Sequence, residues 1–256
     1  MSRNFELLHQ LNGPTNADVS ANVLATPVFH EPAAEKARLI PQERTADLLT
    51  VRELEEEKLV HSLFFETQPS PRVVVFTGLD AGSGATSLCS RAGALLASKT
   101  TGSVCLVDAN LRHPALHLGF GVENQAGLVD ALLEVGTINS FARPLEHERL
   151  WMVSAGTEVP DAHTLLASER LAAYVNELRE NFDYVLVDSP AASLYTDSLV
   201  LGAISDGVAL VLKANVSRRA TASKIVGDFA GAGVRVLGAV LNQRTFPVPS
   251  AIYSWL

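Results

Sequence analysis

From Arg72 onward, short apolar runs alternate with longer stretches in which apolar side chains recur every three or four positions. Arg72-Val73-Val74-Val75-Phe76 is apolar after its first residue and predicts a strand. Ser103–Val107, Leu150–Ser154, Tyr184–Val187, Gly207–Leu212 and Arg235–Leu241 read the same way. Between them the spacing predicts helices, first Ala85–Ser98, with Leu88, Ala92, Leu95 and Leu96 along one face. Leu128–Glu134, Ser168–Glu180, Asp197–Ile204 and Arg218–Ala230 follow. Strands that are apolar throughout are covered on both faces, and strand–helix alternation joins parallel neighbours. The pattern predicts an α/β fold, doubly wound around a mainly parallel sheet, and no internal repeat interrupts it.

Before Arg72 the pattern is different. Pro14, Pro27, Pro32 and Pro41 lie among Ala, Thr, Glu and Asn, which is linker chemistry. Residues 1–49 are therefore expected to be a flexible, partly disordered extension, with a short helix over Arg3–Leu11 carrying Phe5, Leu8 and Leu11. A leading helix is predicted over Thr50–Phe65, where Leu59, Val60 and Leu63 make an apolar stripe. Glu53, Glu55, Glu56 and Glu57 load its first turns and suit the positive end of the helix dipole. The main domain is expected over 50–246, with a tail at 247–256.

Composition narrows the reading. A chain of 256 residues with 47% apolar and 19% charged residues can bury one sizeable core. Its net charge of −8 argues against non-specific nucleic-acid binding, which needs Lys and Arg against phosphates. Cys89 and Cys105 have no metal-ligand spacing and read as small hydrophobes in a reduced interior. Met1–Leu11 is too polar for a signal peptide, and no apolar run approaches the roughly 18 residues of a spanning helix. The expected location is cytoplasmic, with any membrane role depending on recruitment.

Ligands of an open parallel sheet sit at the C-terminal ends of its strands. The first strand ends in Thr77-Gly78-Leu79-Asp80-Ala81-Gly82-Ser83-Gly84-Ala85-Thr86-Ser87, and a helix starts at once. Gly82 and Gly84 let the backbone approach phosphate oxygens, and successive N–H groups with the helix N-terminus supply positive potential. Thr86 holds the hydroxyl position that ligates Mg²⁺ in a P-loop, but Ala85 stands where the P-loop lysine belongs. By shape alone, a strand–turn–helix whose glycines serve packing fits as well. Two aspartates favour a nucleotide: Asp108 leaves the strand that ends in Val107, and Asp188 leaves Tyr184–Val187. Acids so placed can hold magnesium beside a polyphosphate.

From about Arg52 to Asn242 the chain resembles the cytoplasmic domain of bacterial tyrosine kinases of capsule and exopolysaccharide production, and more widely the deviant-Walker P-loop ATPases. The resemblance rests on a series in order: the glycine loop, Val107-Asp108-Ala109-Asn110-Leu111-Arg112-His113-Pro114, Asn124-Gln125-Ala126-Gly127-Leu128 and Ala155-Gly156. It continues through Leu165-Leu166-Ala167-Ser168-Glu169-Arg170, Phe182–Pro190, Asp206-Gly207-Val208 and Leu237-Gly238-Ala239-Val240-Leu241-Asn242. It implies ATP or ADP with Mg²⁺, cradled by Gly82, Ser83, Gly84, Ala85, Thr86 and Ser87. Thr86, Asp108 and Asp188 would be on the metal side. Asp108 would help activate the attacking hydroxyl, Asp188 would be the Walker B acid, and Asn242 would contact the base. Implied partners are a membrane-embedded polysaccharide co-polymerase or adaptor, further copies of the chain, or an active kinase relative. The family's ring-forming Glu-x-x-Arg-x-x-Arg helix is weakened here to Glu55, Lys58 and His61.

Three departures bear on activity. Ala85 removes the lysine, Asn110 replaces the acid usual two residues after Asp108, and the tyrosine-rich tail is reduced to Tyr253, the one candidate acceptor. Of the lysines, Lys99 lies about 20 Å down the helix, Lys224 is mid-helix, and Lys36 and Lys58 precede the domain. Arg112 and Lys213 remain as candidate substitutes. His113 and His117 are four apart, but Pro114 and the lack of a nearby acid favour packing or solvation over a metal. His147 reads as solvated, and Ser189 has no histidine partner for a nucleophile's role. Three functions follow: a pseudo-kinase regulating polysaccharide assembly, an active tyrosine autokinase using Arg112 or Lys213, and a positioning ATPase. The last is weakened by Asp80 where those relatives generally carry a lysine, and by Pro247 and Pro249 in the tail.

Overall fold

The structure, a computed structural model, describes residues 53–134 and 136–243. The expectations for Arg3–Leu11, the proline-rich stretch and Tyr253 lie outside the described residues. Helix α1 covers residues 53–61 and continues as a wider turn over Ser62–Glu66. Then come β1 (Val73–Gly78), α2 (Ala85–Lys99), β2 (Val104–Asp108), α3 (Leu128–Leu133), β3 (Arg143–Pro144) and β4 (Leu150–Val153). The remainder is α4 (Ala162–Leu166), α5 (Glu169–Asn181), β5 (Tyr184–Ser189), α6 (Asp197–Ala203), β6 (Gly207–Lys213), α7 (Arg219–Gly231) and β7 (Val236–Asn242).

These strands form one sheet in the order β3-β4-β2-β5-β1-β6-β7. It is parallel except where β3 pairs antiparallel with β4. The period-2 rule sorts the core. Val73 and Val75 of β1, Cys105 and Val107 of β2, and Val185 and Val187 of β5 face one hydrophobic cluster with α3, α5 and α6. Val74, Phe76, Val104, Leu106 and Leu186 face a second cluster with α1 and α2. Both faces are covered, which is why β1 and β2 are buried at every residue. The doubly wound expectation therefore holds.

Helix α1 docks through Val60, Leu63 and Phe64, the last fully buried and set edge-on to Tyr184 at 5.6 Å between ring centroids. Burying an aromatic side chain of this size contributes about 2–3 kcal/mol. Two ion pairs tie α1 to α2, Glu56–Arg91 at 2.6 Å and Glu57–Lys99 at 2.7 Å. At the opposite end of β1 from the glycine loop, the Asp206 carboxylate accepts the N–H groups of Arg72 (2.7 Å) and Val73 (2.8 Å) and pairs with Arg179 at 2.8 Å. The central strand is thus fixed at its start, so that its end can carry a loop.

The sequence reading differs in detail. β1 begins one residue later than expected and runs on to Gly78. The two-residue β3 and the five-residue α4 were not expected. Both are too short to show a period, and each is set by neighbours rather than by its own residues.

Gly127 shows how tightly α3 meets the sheet. Leu128 and Val129 donate backbone N–H groups to Ser154 and Ala155, just past β4, at 2.8 and 2.9 Å. A Cβ on Gly127 would fall 2.1 Å from the Ser154 carbonyl oxygen. Gly127→Ala is therefore expected to cost about 2–3 kcal/mol and lower the melting temperature by roughly 5–10 °C, measured by thermal unfolding.

Candidate nucleotide site

The apolar residues of β1 drive the chain through the core, and Thr77-Gly78 ends it at the carboxyl edge of the sheet. Thr77 is buried and donates its hydroxyl to the Pro190 carbonyl at 2.7 Å, joining β1 to the segment after β5. The loop then turns through Gly82 (φ 70°) and Gly84 (φ 83°) into the first turn of α2. Such positive φ values suit glycine. Gly84 is held to glycine a second way, since a Cβ there would lie 2.5 Å from the Asn242 amide nitrogen.

Two side-chain amides fix this loop from the end of β7. Asn242 Nδ2 donates to the Ser83 carbonyl at 2.8 Å, and Gln243 Nε2 donates to the Gly82 carbonyl at 3.1 Å. These two contacts occupy the Ser83 and Gly82 carbonyls and fix the turn through the two glycines. The structure sets Asn242 against the loop itself. A base-contacting role for it is left as a proposal.

Beneath the loop lie the two aspartates. β2 and β5 pair in register, so Asp108 stands directly beside Asp188, and both are fully buried. Asp108 accepts backbone N–H groups from Asn110 (3.2 Å), Ala115 (3.1 Å) and Leu116 (3.0 Å). Asp188 accepts the Thr86 hydroxyl at 2.7 Å through Oδ2, while its Oδ1 is buried without a partner. A buried unpartnered carboxylate oxygen beside a hydroxyl is the donor set of a hard cation. Thr86 and Asp188 therefore fit Mg²⁺. No group of three or more His, Cys, Asp or Glu side chains among the described residues forms a separate metal site.

The cleft above holds about 280 Å³ and is lined by the loop residues Gly78 and Asp80–Ser87, by Asn110 and His113, and by Ser189–Ala191, Leu194 and Tyr195. Among the described residues, no lysine or arginine lines it. Ala85 is in the wall, and Asp80 adds a carboxylate fastened by the Ser217 hydroxyl at 2.6 Å. Arg112 and Lys213 are absent from the lining: Arg112 is bound to Asp197, and Lys213 closes β6 with its N–H on Ser217 Oγ. Lys99 is paired with Glu57 at the far end of α2. Lys58 and His61 meet Glu55 and Glu66 on their own segment. Ser189 is buried, with its hydroxyl 3.4 Å from the Pro190 carbonyl. Sequence reasoning missed Asp80–Ser217, Leu194 and Tyr195, which carry no motif and are gathered by the fold. A larger cleft of about 580 Å³ lies between α1 and the C-terminal part of α2, but it has neither glycine loop nor strand-end acid.

Burial pushes the Asp108 carboxyl up to about 6, although its three N–H donors oppose the rise. Burial, and then the neighbouring Asp108, push Asp188 well above the usual carboxylate range. A carboxyl raised in the folded state favours folding while protonated, and that contribution is lost as pH rises through its folded value. The free protein is accordingly expected to lose stability from about pH 4 upward through pH 6. Asp188→Asn should melt higher than the parent at neutral pH. Its advantage should shrink as pH falls towards 4, and Mg²⁺ with nucleotide should stabilise only the parent. Melting curves across pH check all three.

No protein-family profile matches the chain. Among curated proteins it is 30% identical over 148 residues to the tyrosine-protein kinase CapB of Staphylococcus aureus, covering 58% of this chain and 65% of CapB. It is 28% identical over 141 residues to the tyrosine-protein kinase YwqD of Bacillus subtilis, covering 55% of this chain and 60% of YwqD. The chain thus matches just under two thirds of the length of these relatives. Among solved structures, the VpsO kinase domain superposes with a TM-score of 0.68 at 25% identity, over 77% of this chain and 99% of that one. The BceF tyrosine kinase domain gives 0.63 at 27%, over 73% of each chain. The cell division ATPase MinD of Pyrococcus furiosus gives 0.59 at 21%, over 72% of this chain and 78% of that one, a likeness of fold. The glycine loop, the paired strand-end aspartates and these relatives agree: the homologues of this chain are bacterial tyrosine-protein kinases, and it is built on their P-loop fold.

Proposed function

We propose that this chain is a nucleotide-binding regulatory relative of the bacterial tyrosine kinases, with phosphoryl transfer impaired or absent. The observation that carries the reading is the cleft. It keeps the glycine loop and the Thr86–Asp188 pair but, among the described residues, has no lysine or arginine in its lining. ATP or ADP would lie with its phosphates against the N–H groups of Gly82–Ser87, where the start of α2 adds positive potential. When bound, Mg²⁺ would supply charge neutralisation for the phosphates. Thr86 and Asp188 would hold it, with Asp108 behind them. The resemblance gives Asp108 a part in activating an attacking hydroxyl; in this structure it is fully buried and accepts the N–H groups of Asn110, Ala115 and Leu116.

What is missing is charge at the terminal phosphates. Removing one such stabilising group costs transfer on the order of 10²–10³ in rate, while backbone and magnesium contacts continue to support binding. Asp80 at the rim adds repulsion. The proposed setting is capsule or exopolysaccharide assembly, which the resemblance to the tyrosine kinases of those systems implies. The proposed partner is a membrane-embedded polysaccharide co-polymerase or adaptor, or an active kinase relative. No helix among the described residues is long and apolar enough to cross a membrane, so peripheral recruitment from the cytoplasmic side is part of the proposal.

Purified full-length protein, titrated with ATP and Mg²⁺ and assayed for phosphotyrosine, tests this. Binding in the micromolar to millimolar range with no autophosphorylation is the expected result. Ala85→Lys, which returns a cation to the wall of the cleft, should tighten ATP about tenfold or more and raise turnover. Robust Mg²⁺-dependent tyrosine autophosphorylation by the unmodified chain would sink the proposal.

A further inference from the structure

Four side chains beside the cleft form one connected set. Asp197, the first residue of α6, is 1% exposed. Its carboxylate accepts Arg112 Nε at 2.9 Å and Arg112 Nη2 at 3.4 Å, and it lies 3.1 Å from His163 Nδ1 on α4. The Arg112 guanidinium also lies over the Tyr195 ring, 4.2 Å from its centroid. Tyr195 lines the cleft, and so do Asn110 and His113, which flank Arg112 in the segment after β2. The arginine is therefore anchored beside the cleft, outside its lining, by Asp197 and Tyr195.

We propose that Asp197 sequesters Arg112, and that this pairing sets how tightly the cleft holds a nucleotide polyphosphate. The inference rests on the nucleotide reading above and concerns the regulation of the same site. Its physical basis is competition for one cation. Arginine stays charged at any ordinary pH and matches a carboxylate or a phosphate through the same planar fork. Here the fork is held on two sides, by a buried carboxylate and by an aromatic face. Stripping a partner from a buried carboxylate is costly, so a polyphosphate reaching for Arg112 must first overcome Asp197. His163, 3.1 Å from the Asp197 carboxylate, is a second neighbour that helps hold that carboxylate where Arg112 meets it. The Asp161 carboxylate, just before α4, adds to the field that retains Arg112. Among the described residues the cleft lining holds no lysine or arginine, although Arg112 sits beside it. Asp197 is in this sense a positioning residue that acts through Arg112.

The test is a double-mutant cycle on the full chain, read as the affinity for a fluorescent ATP analogue in the presence of Mg²⁺. Asp197→Asn keeps the side chain's shape and removes its charge, and it should tighten binding about tenfold or more. Adding Arg112→Gln to that variant should return the affinity to the starting level. A purely structural Asp197 would weaken binding, or change it in a way that survives Arg112→Gln, and either result overturns the proposal. If Asp197→Asn does not fold, the parent protein decides. The Arg112 Nε–H resonance, assigned by its loss in Arg112→Lys, should stay in place when Mg²⁺–ATP saturates the cleft, and a shift overturns the proposal. The Gly82 and Gly84 amides report nucleotide separately. If they move but the variant binds no tighter, sequestration alone fails. If they move in neither protein, the nucleotide reading fails and sequestration with it.

Discussion

The structure turns on two carboxylates placed side by side out of water. Asp108 and Asp188 end neighbouring strands in register, and among the described residues no lysine or arginine lines the cleft above them. Like charges so close in a buried setting hold protons that ordinary aspartates would release. The arrangement is unfavourable for the free chain and is relieved by a cation. The Thr86 hydroxyl and the unpartnered Asp188 oxygen beside it form a donor set that fits a hard cation. The rest of the fold supports that floor. β1, β2 and β5 are buried on both faces, and Asp206 fixes the far end of β1 through the N–H groups of Arg72 and Val73.

Above the floor, loop geometry and charge have parted company. The loop has its two left-handed glycines and is clamped from β7 by Asn242 and Gln243, so its shape is that of a phosphate cradle. Its electrostatics are not, because Ala85 brings no charge and Asp80 brings the wrong one. Backbone N–H groups and a metal ion can bind a nucleotide without a lysine, but the terminal phosphate loses the group that would follow its charge through transfer. The same loss gives weight to an arginine at the rim. In a cleft rich in cations the state of Arg112 would matter little, whereas here it decides whether one faces the phosphates at all.

The sequence by itself determined the fold class, the order of strands and helices, the glycine loop and the two strand-end acids. Each of these is written in local pattern: alternating periods for the elements, glycine spacing for the turn, and an aspartate closing an apolar run. Ala85 was legible for the same reason, as one residue out of place in a local motif. Helix α4 and strand β3 were not, since a segment of two to five residues carries no period and forms because its neighbours complete it.

Only the tertiary structure decided where charges point. Arg112 reads in the sequence as a cation four residues past a catalytic-type acid, and its spacing is compatible with a phosphate. What redirects it is Asp197, 85 positions away in the chain, with Tyr195 and His163 beside it. Asn242, a base contact by the resemblance, holds the Ser83 carbonyl from the end of β7, a contact that no stretch of sequence announces. A long polar side chain takes the partner that the packing brings within about 3 Å, and which partner that is depends on strand register and helix placement. Those are properties of the folded sheet, not of any stretch of sequence.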